Sequence, residues 1–262
     1  LQRGDVKAVI LEKGAYLYSL KVKDKDVILE GKERQTRGGM ALLIPYANRV
    51  KGGVYEWKGK TYELPKNAEG NAIHGLVMDK IWEVRELKSD YVKLSLTLTH
   101  EGYPTALFLQ VEYQLLSDGI SVSLNVKNVG EEEAPLTVGF HPYFIVDEDW
   151  EISPKKVKKC VSVNKIPTGE VVDYELSRGV YDDCFIIKDK VVTLSSSYSR
   201  VDIEKEGLDF VQIYTVPGAV AVEPMSGAPD AYHNGMGLIA LPIGKEVSFN
   251  VKFRVSFTSS MN

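Results

Sequence analysis

The chain has 262 residues, 44% of them hydrophobic and 26% charged, with a net charge of −4. That is ordinary globular composition, without the basic excess of a nucleic-acid binder and without an apolar run long enough to cross a membrane.

Along the chain the dominant period is two. Val92, Leu94, Leu96 and Leu98 alternate with Lys93, Ser95 and Thr97. Leu107, Leu109, Val111, Tyr113 and Leu115 alternate with Phe108, Gln110, Glu112 and Gln114, and Ile120, Val122, Leu124 and Val126 with Ser121, Ser123 and Asn125. At the C-terminal end, Val247, Phe249, Val251, Phe253, Val255 and Phe257 alternate with Ser248, Asn250, Lys252, Arg254 and Ser256. Successive side chains of a strand point to opposite faces, so each run predicts a strand with one buried and one wet face. Ser117-Asp118-Gly119 predicts a hairpin between two of these strands. Glu131-Glu132-Glu133 is expected in a solvated turn. Lys155-Lys156-Val157-Lys158-Lys159 is read as a solvated strand or loop. No segment carries the pattern of a three-turn amphipathic helix, and no linker, repeat or low-complexity stretch divides the chain. The expectation is all-β: an antiparallel β-sandwich, with residues 1–262 forming a single domain.

Two cysteines, Cys160 and Cys184, make neither a disulfide framework nor a cysteine-rich zinc site, and are read as free thiols. The residues from Leu1 to Ile10 lack the hydrophobic stretch of a signal peptide, so a cytoplasmic protein is expected. The four histidines have no metal-binding spacing, and no metal or other cofactor is expected.

The residues best suited to chemistry are His141, in Gly139-Phe140-His141-Pro142-Tyr143-Phe144, and Glu223, in Val222-Glu223-Pro224-Met225-Ser226-Gly227-Ala228-Pro229-Asp230-Ala231. An imidazole can act as acid or base near neutral pH, and a carboxylate is a ready base. Taken alone, His141 would be a packed histidine beside aromatics. Glu223 follows the apolar run Ala219-Val220-Ala221-Val222, where a buried carboxylate without a task would be unusual.

Several runs in order resemble the aldose 1-epimerase family, the galactose mutarotases and their relatives. They are Arg37-Gly38-Gly39-Met40; Ile44-Pro45-Tyr46-Ala47-Asn48-Arg49-Val50; the hairpin-like Trp57 to Leu64; Asn71-Ala72-Ile73-His74-Gly75; Glu101-Gly102-Tyr103-Pro104; His141-Pro142-Tyr143-Phe144; Tyr181-Asp182-Asp183-Cys184-Phe185; and the Glu223 segment. Each is weak alone; together, in that order, they are specific. The resemblance implies a large distorted sandwich, the galactose mutarotase-like supersandwich, with a sugar site in an open cleft on one sheet. It implies Glu223 as catalytic base and His141 as catalytic acid. Arg49 and His74 would hold the substrate near its ring oxygen. Asp182 would accept hydrogen bonds from sugar hydroxyls, unless Asp183 takes that role after a one-residue shift. His100 and His233 are expected to be structural or exposed.

The implied activity is interconversion of the α and β anomers of free aldohexoses such as glucose or galactose. The implied partner is a small-molecule sugar, with no nucleic acid and no membrane. The Glu223-Pro224-Met225 sequence departs from galactose mutarotases, in which threonine and glutamine commonly follow the glutamate, and looks more like a branch that includes hexose-6-phosphate 1-epimerases. A phosphosugar enzyme needs extra cations at the cleft rim; Lys51, Lys80 and Arg85 lie near the motifs. A third alternative is a carbohydrate-binding protein that kept the cleft without turnover.

Overall fold

The computed structural model describes residues 1–257. Two large sheets carry the architecture. The 11-stranded sheet runs Gln2–Arg3, Val6–Leu11, Tyr16–Val22, Met40–Leu43, Gly139–Ile145, Ala219–Met225, Phe210–Val216, Asp182–Ile186, Lys156–Val163 and Ile166–Glu175, with Lys25–Asp26 paired to Tyr16–Val22 off this path. The 8-stranded sheet runs Glu83–Lys88, Tyr91–Leu98, Leu107–Leu116, Gly119–Asn128, Glu246–Phe257, Ser199–Glu206, Val191–Ser195 and Glu151–Ser153. The predicted hairpin is present, with Leu116 opposite Gly119. Lys156–Val163 is a strand, as the lysine-rich run allowed. Among the described residues the one α-helix is Ala231–Asn234.

The alternating runs build the second sheet as a half-buried surface. In Leu107–Leu116 every second residue is buried, from Leu107 through Leu115. Those residues meet the inner face of the larger sheet in one apolar cluster that includes Leu42, Phe140, Phe144, Val220, Val222, Val211, Ile213 and Phe185. Phe144 meets Phe253 edge-on across the two sheets, ring centroids 5.1 Å apart. Stacking of two sheets through interdigitated inner faces is the sandwich expected from the pattern.

The middle of the larger sheet breaks the alternation. Gly139–Ile145 is buried through Phe144, and Ala219–Met225 along its whole length. Their even-numbered residues Phe140, Phe144, Val220 and Val222 face the sandwich core. Residues of the opposite parity, among them His141, Tyr143 and Glu223, lie on the outer face. There they are covered by loops and by a second, smaller cluster containing Tyr16, Ala41, Leu43, Cys160, Cys184 and Met225. That covered outer face is the floor of the site.

Candidate active site

Sheet register assembles the centre of the site. Pairing of Gly139 with Met225 and of Tyr143 with Ala221 sets His141 opposite Glu223 on adjacent antiparallel strands. His141 is 3% exposed and Glu223 2% exposed, and His141 Nε2 lies 3.4 Å from Glu223 Oε1. One strand further, Gln212 is opposite Glu223, and Asp182 is opposite Tyr214. Cross-strand neighbours share a face, so His141, Glu223, Gln212 and Asp182 rise from one side of the sheet.

Loops close the walls. Asn48 has a left-handed backbone (φ 61), a conformation asparagine tolerates better than most residues. Its Oδ1 accepts the Arg49 backbone N–H at 2.9 Å and the Arg49 Nη1 at 3.3 Å. Arg49 Nε donates to Glu69 Oε1 at 2.5 Å, and Nη2 to Glu69 Oε2 at 3.4 Å. His74 is also left-handed (φ 66) and is followed by Gly75 (φ 82). A Cβ on Gly75 would lie 2.3 Å from the Ile44 carbonyl oxygen, so glycine is required for this turn to pack. The turn sets the His74 ring against His141, centroids 5.4 Å apart.

The resulting cleft has a volume of about 270 Å³. Arg49, His74, His141, Asp182 and Glu223 all line it, so the five residues singled out in the sequence converge. Asp182, not Asp183, faces the cleft. Asp182 accepts from Gln212 Nε2 at 3.0 Å and pairs with Lys165, whereas Asp183 meets Lys159 at 3.6 Å. Strand alternation is the reason: adjacent residues of Asp182–Ile186 point to opposite faces.

Burial dominates the electrostatics of the centre. It lowers the His141 imidazole from 6.5 to about 4. It raises the Glu223 carboxyl well above the usual carboxylate range, an effect the nearby Asp182 charge reinforces. His74 is pushed well below 6.5 by burial, then by the positive potential of His141 and Arg49. Burial thus disfavours the charged form of both members of the central pair. Several polar atoms here have no hydrogen-bond partner among the described residues: His74 Nδ1, His141 Nδ1, Gln212 Oε1 and Glu223 Oε1. Buried polar atoms are nearly always paired, so these four are the unsatisfied polar groups of the site. Among the described residues no group of three or more His, Cys, Asp or Glu is disposed to hold a metal ion.

The family model described as Aldose 1-epimerase matches residues 1–254. The chain belongs to the aldose 1-epimerase family. An uncharacterised Escherichia coli protein, YihR, is 29% identical over 96% of this chain and 91% of its own length. Human galactose mutarotase is 30% identical, but the match spans 65% of this chain and 56% of the mutarotase. Among solved structures, a putative aldose 1-epimerase from Escherichia coli K12 superposes with a TM-score of 0.86 over 98% of both chains at 22% identity. That likeness is one of fold.

Arg34, Glu69 and Lys165, which the sequence did not single out, also line the cleft of this aldose 1-epimerase family member, and Gln212 supports it from the neighbouring strand. Glu69 anchors Arg49, Gln212 anchors Asp182, and Lys165 pairs with Asp182. Arg34 and Arg37 lie at one edge with Thr36, whose carbonyl accepts the Tyr143 hydroxyl at 2.5 Å. The cations suggested from sequence, Lys51, Lys80 and Arg85, do not line the cleft. Arg85 lies on the other sheet, bonded to Ser95 and paired with Glu83. Cys160 and Cys184 are buried free thiols in the smaller cluster on the outer face of the larger sheet. His100 accepts the Gly102 N–H within a turn. No helix of the described residues is long and apolar enough to cross a membrane.

Proposed function

We propose that this chain, acting as a single domain, interconverts the α and β anomers of free aldohexoses such as glucose or galactose. The observation that carries the reading is the pair on the cleft floor, His141 and Glu223, buried together and 3.4 Å apart. One proton held between them is the inventory that ring opening requires. Glu223 takes the proton of the anomeric hydroxyl while His141 gives one to the ring oxygen. The bond between the anomeric carbon and the ring oxygen breaks, and the C1–O1 bond becomes a carbonyl. The aldehyde turns, and the two transfers reverse as the ring closes on its other face.

Burial favours the neutral pair before substrate arrives, so binding has to move the proton from Glu223 to His141. Sugar hydroxyls and Arg49 beside Glu223 favour the carboxylate. Arg49 and His74 then hold the ring oxygen side, and Asp182 accepts hydroxyls from the opposite wall. A fixed cation near the oxygen that gains charge lowers the barrier.

Polarimetry of freshly dissolved α-D-glucose tests this. The protein should speed decay of rotation, and Glu223→Gln should lose on the order of 10²–10⁴-fold, the usual share of positioned proton transfer. Full activity in that variant would end the assignment. A second reading, an aldose bearing a phosphate at C6, is favoured by Arg34 and Arg37. Both line the cleft, and neither is in an ion pair among the described residues. Comparing rates on glucose and glucose 6-phosphate separates the two.

A further inference from the structure

Arg49 is the cation the proposed chemistry depends on, yet its backbone has little sheet around it. The strand Arg49–Val50 is two residues long and pairs with Ala72–Ile73. A second grip comes from the far side of the site. Beyond the Glu223 strand the chain turns at Asp230, which is 4% exposed. The Asp230 N–H donates to the Arg49 carbonyl at 2.7 Å, and its Oδ1 accepts the Lys51 N–H at 2.8 Å. The same Oδ1 lies 2.6 Å from His233 Nδ1, and His233 Nε2 lies 2.7 Å from the Val54 carbonyl oxygen.

These contacts hold the 49–54 segment at Arg49, Lys51 and Val54, all from the turn that follows the catalytic strand. Both atoms facing the His233 ring are acceptors, a carboxylate oxygen and a carbonyl oxygen. Both contacts are complete hydrogen bonds when both ring nitrogens carry hydrogen. Asp230 keeps a left-handed backbone (φ 61), which is unfavourable for a non-glycine residue and persists where surrounding contacts over-determine it. Neither Asp230 nor His233 lines the cleft, so neither has a part in the proton transfers.

We infer that Asp230 and His233 form a clip that fixes Arg49 relative to Glu223, with His233 as a positioning residue. The functional side of this rests on Arg49 facing the sugar as proposed above. A turn that merely stabilised the fold would lower the melting temperature and leave the kinetic constants of the folded enzyme alone. A clip changes them, because a misplacement of about 1 Å can cost up to about 10²-fold in rate.

The test uses the full chain with His233→Leu, which keeps bulk and removes both donors, and His233→Asn, which restores a donor toward Asp230. Two readouts are taken well below the melting temperature: KM and kcat by polarimetry, and the Arg49 Nε–H resonance in ¹H–¹⁵N spectra. His233→Leu should lower kcat/KM roughly tenfold, mostly through KM, and shift the Arg49 resonance, and His233→Asn should recover part of both. If His233→Leu does not fold, Asp230→Asn, which keeps the acceptor for Lys51 and removes the charge, should give a smaller change in the same direction. An unchanged Arg49 resonance together with unchanged kinetic constants in a folded variant would overturn the clip. Absence of mutarotation in the unaltered protein would instead count against the functional reading, while the Arg49 resonance would still decide the clip.

Discussion

Replacing Glu69 by glutamine isolates the electrostatic support of Arg49. The substitution keeps the shape of the side chain and an acceptor for Arg49 Nε, and removes the charge. Hydrogen bonding from Arg49 is the largest influence on Glu69 and holds its carboxyl down from 4.5 to about 2. Counted in full, that lowering would amount to roughly 3 kcal/mol. The Glu69 side chain is 41% exposed, however, and solvent screening cuts the contribution of such a pair to about 1 kcal/mol. The group's folded-state value is depressed, so its contribution is present above 4.5 and is lost as pH falls toward 2. Urea melts should therefore find Glu69→Gln about 1 kcal/mol less stable at neutral pH, with the gap closing in acid. A double-mutant cycle with Arg49→Ala should return a coupling of similar size. KM should rise several-fold, because Arg49 loses the partner that aims it. Equal stability at neutral and acid pH, with zero coupling to Arg49, would refute the reasoning.

Two further outcomes follow from the burial of the site and of the core. Glu223 is raised above its ordinary 4.5 by burial, so relative to Glu223→Gln it supports the fold below 4.5 and loses that support as pH rises. The melting temperature of Glu223→Gln minus that of the unaltered protein should grow as pH rises above 4.5; a constant difference would mean the carboxyl is not desolvated. Phe253→Ala removes a fully buried ring that meets Phe144 across the two sheets. It should cost about 3–5 kcal/mol in a denaturant melt, and a loss below ~1 kcal/mol would contradict that packing.

The sequence was most legible where strands are half wet. The period-two runs of Leu107–Leu116 and Gly119–Asn128 became strands whose apolar set is the buried set. It was least legible at the centre of the larger sheet, where Ala219–Met225 is buried on both faces and the alternation disappears. There Glu223 stood out as a carboxylate after an apolar run, and the motif resemblance supplied its implied role. Gln212 carried a usable signal: it is a single polar residue inside Phe210-Val211-Gln212-Ile213-Tyr214, and a buried amide in such a run needs a partner. Arg34, Glu69 and Lys165 carried none, because their approach to the cleft depends on loop paths, and Arg37 stood in a family-like run that gave it no role. For the same reason chain proximity to the motifs misled for Lys51, Lys80 and Arg85. The choice between Asp182 and Asp183 needed a register, which pairing with Tyr214 and Ile213 supplies and sequence does not.

The site divides into two mechanical parts. His141 and Glu223 are held by the cross-strand register of the two central strands, so their separation is set by backbone hydrogen bonding and shifts little when a rim residue changes. Arg49 and His74 ride on turns with left-handed residues, and Arg34, Arg37 and Lys165 on exposed loop or short helical segments. Loops tolerate substitution and insertion far better than central strands do. Under the proposed function, the C6 substituent accepted is therefore set by side chains on the loops more than by those on the strands. Membership of the family consequently speaks to the class of reaction more strongly than to the sugar. The rate on glucose 6-phosphate relative to glucose should respond to Arg34→Ala and Arg37→Ala, while the rate on glucose itself stays near that of the unaltered protein. A matching loss on both sugars would mean that the arginines support the floor of the cleft and do not read the substrate.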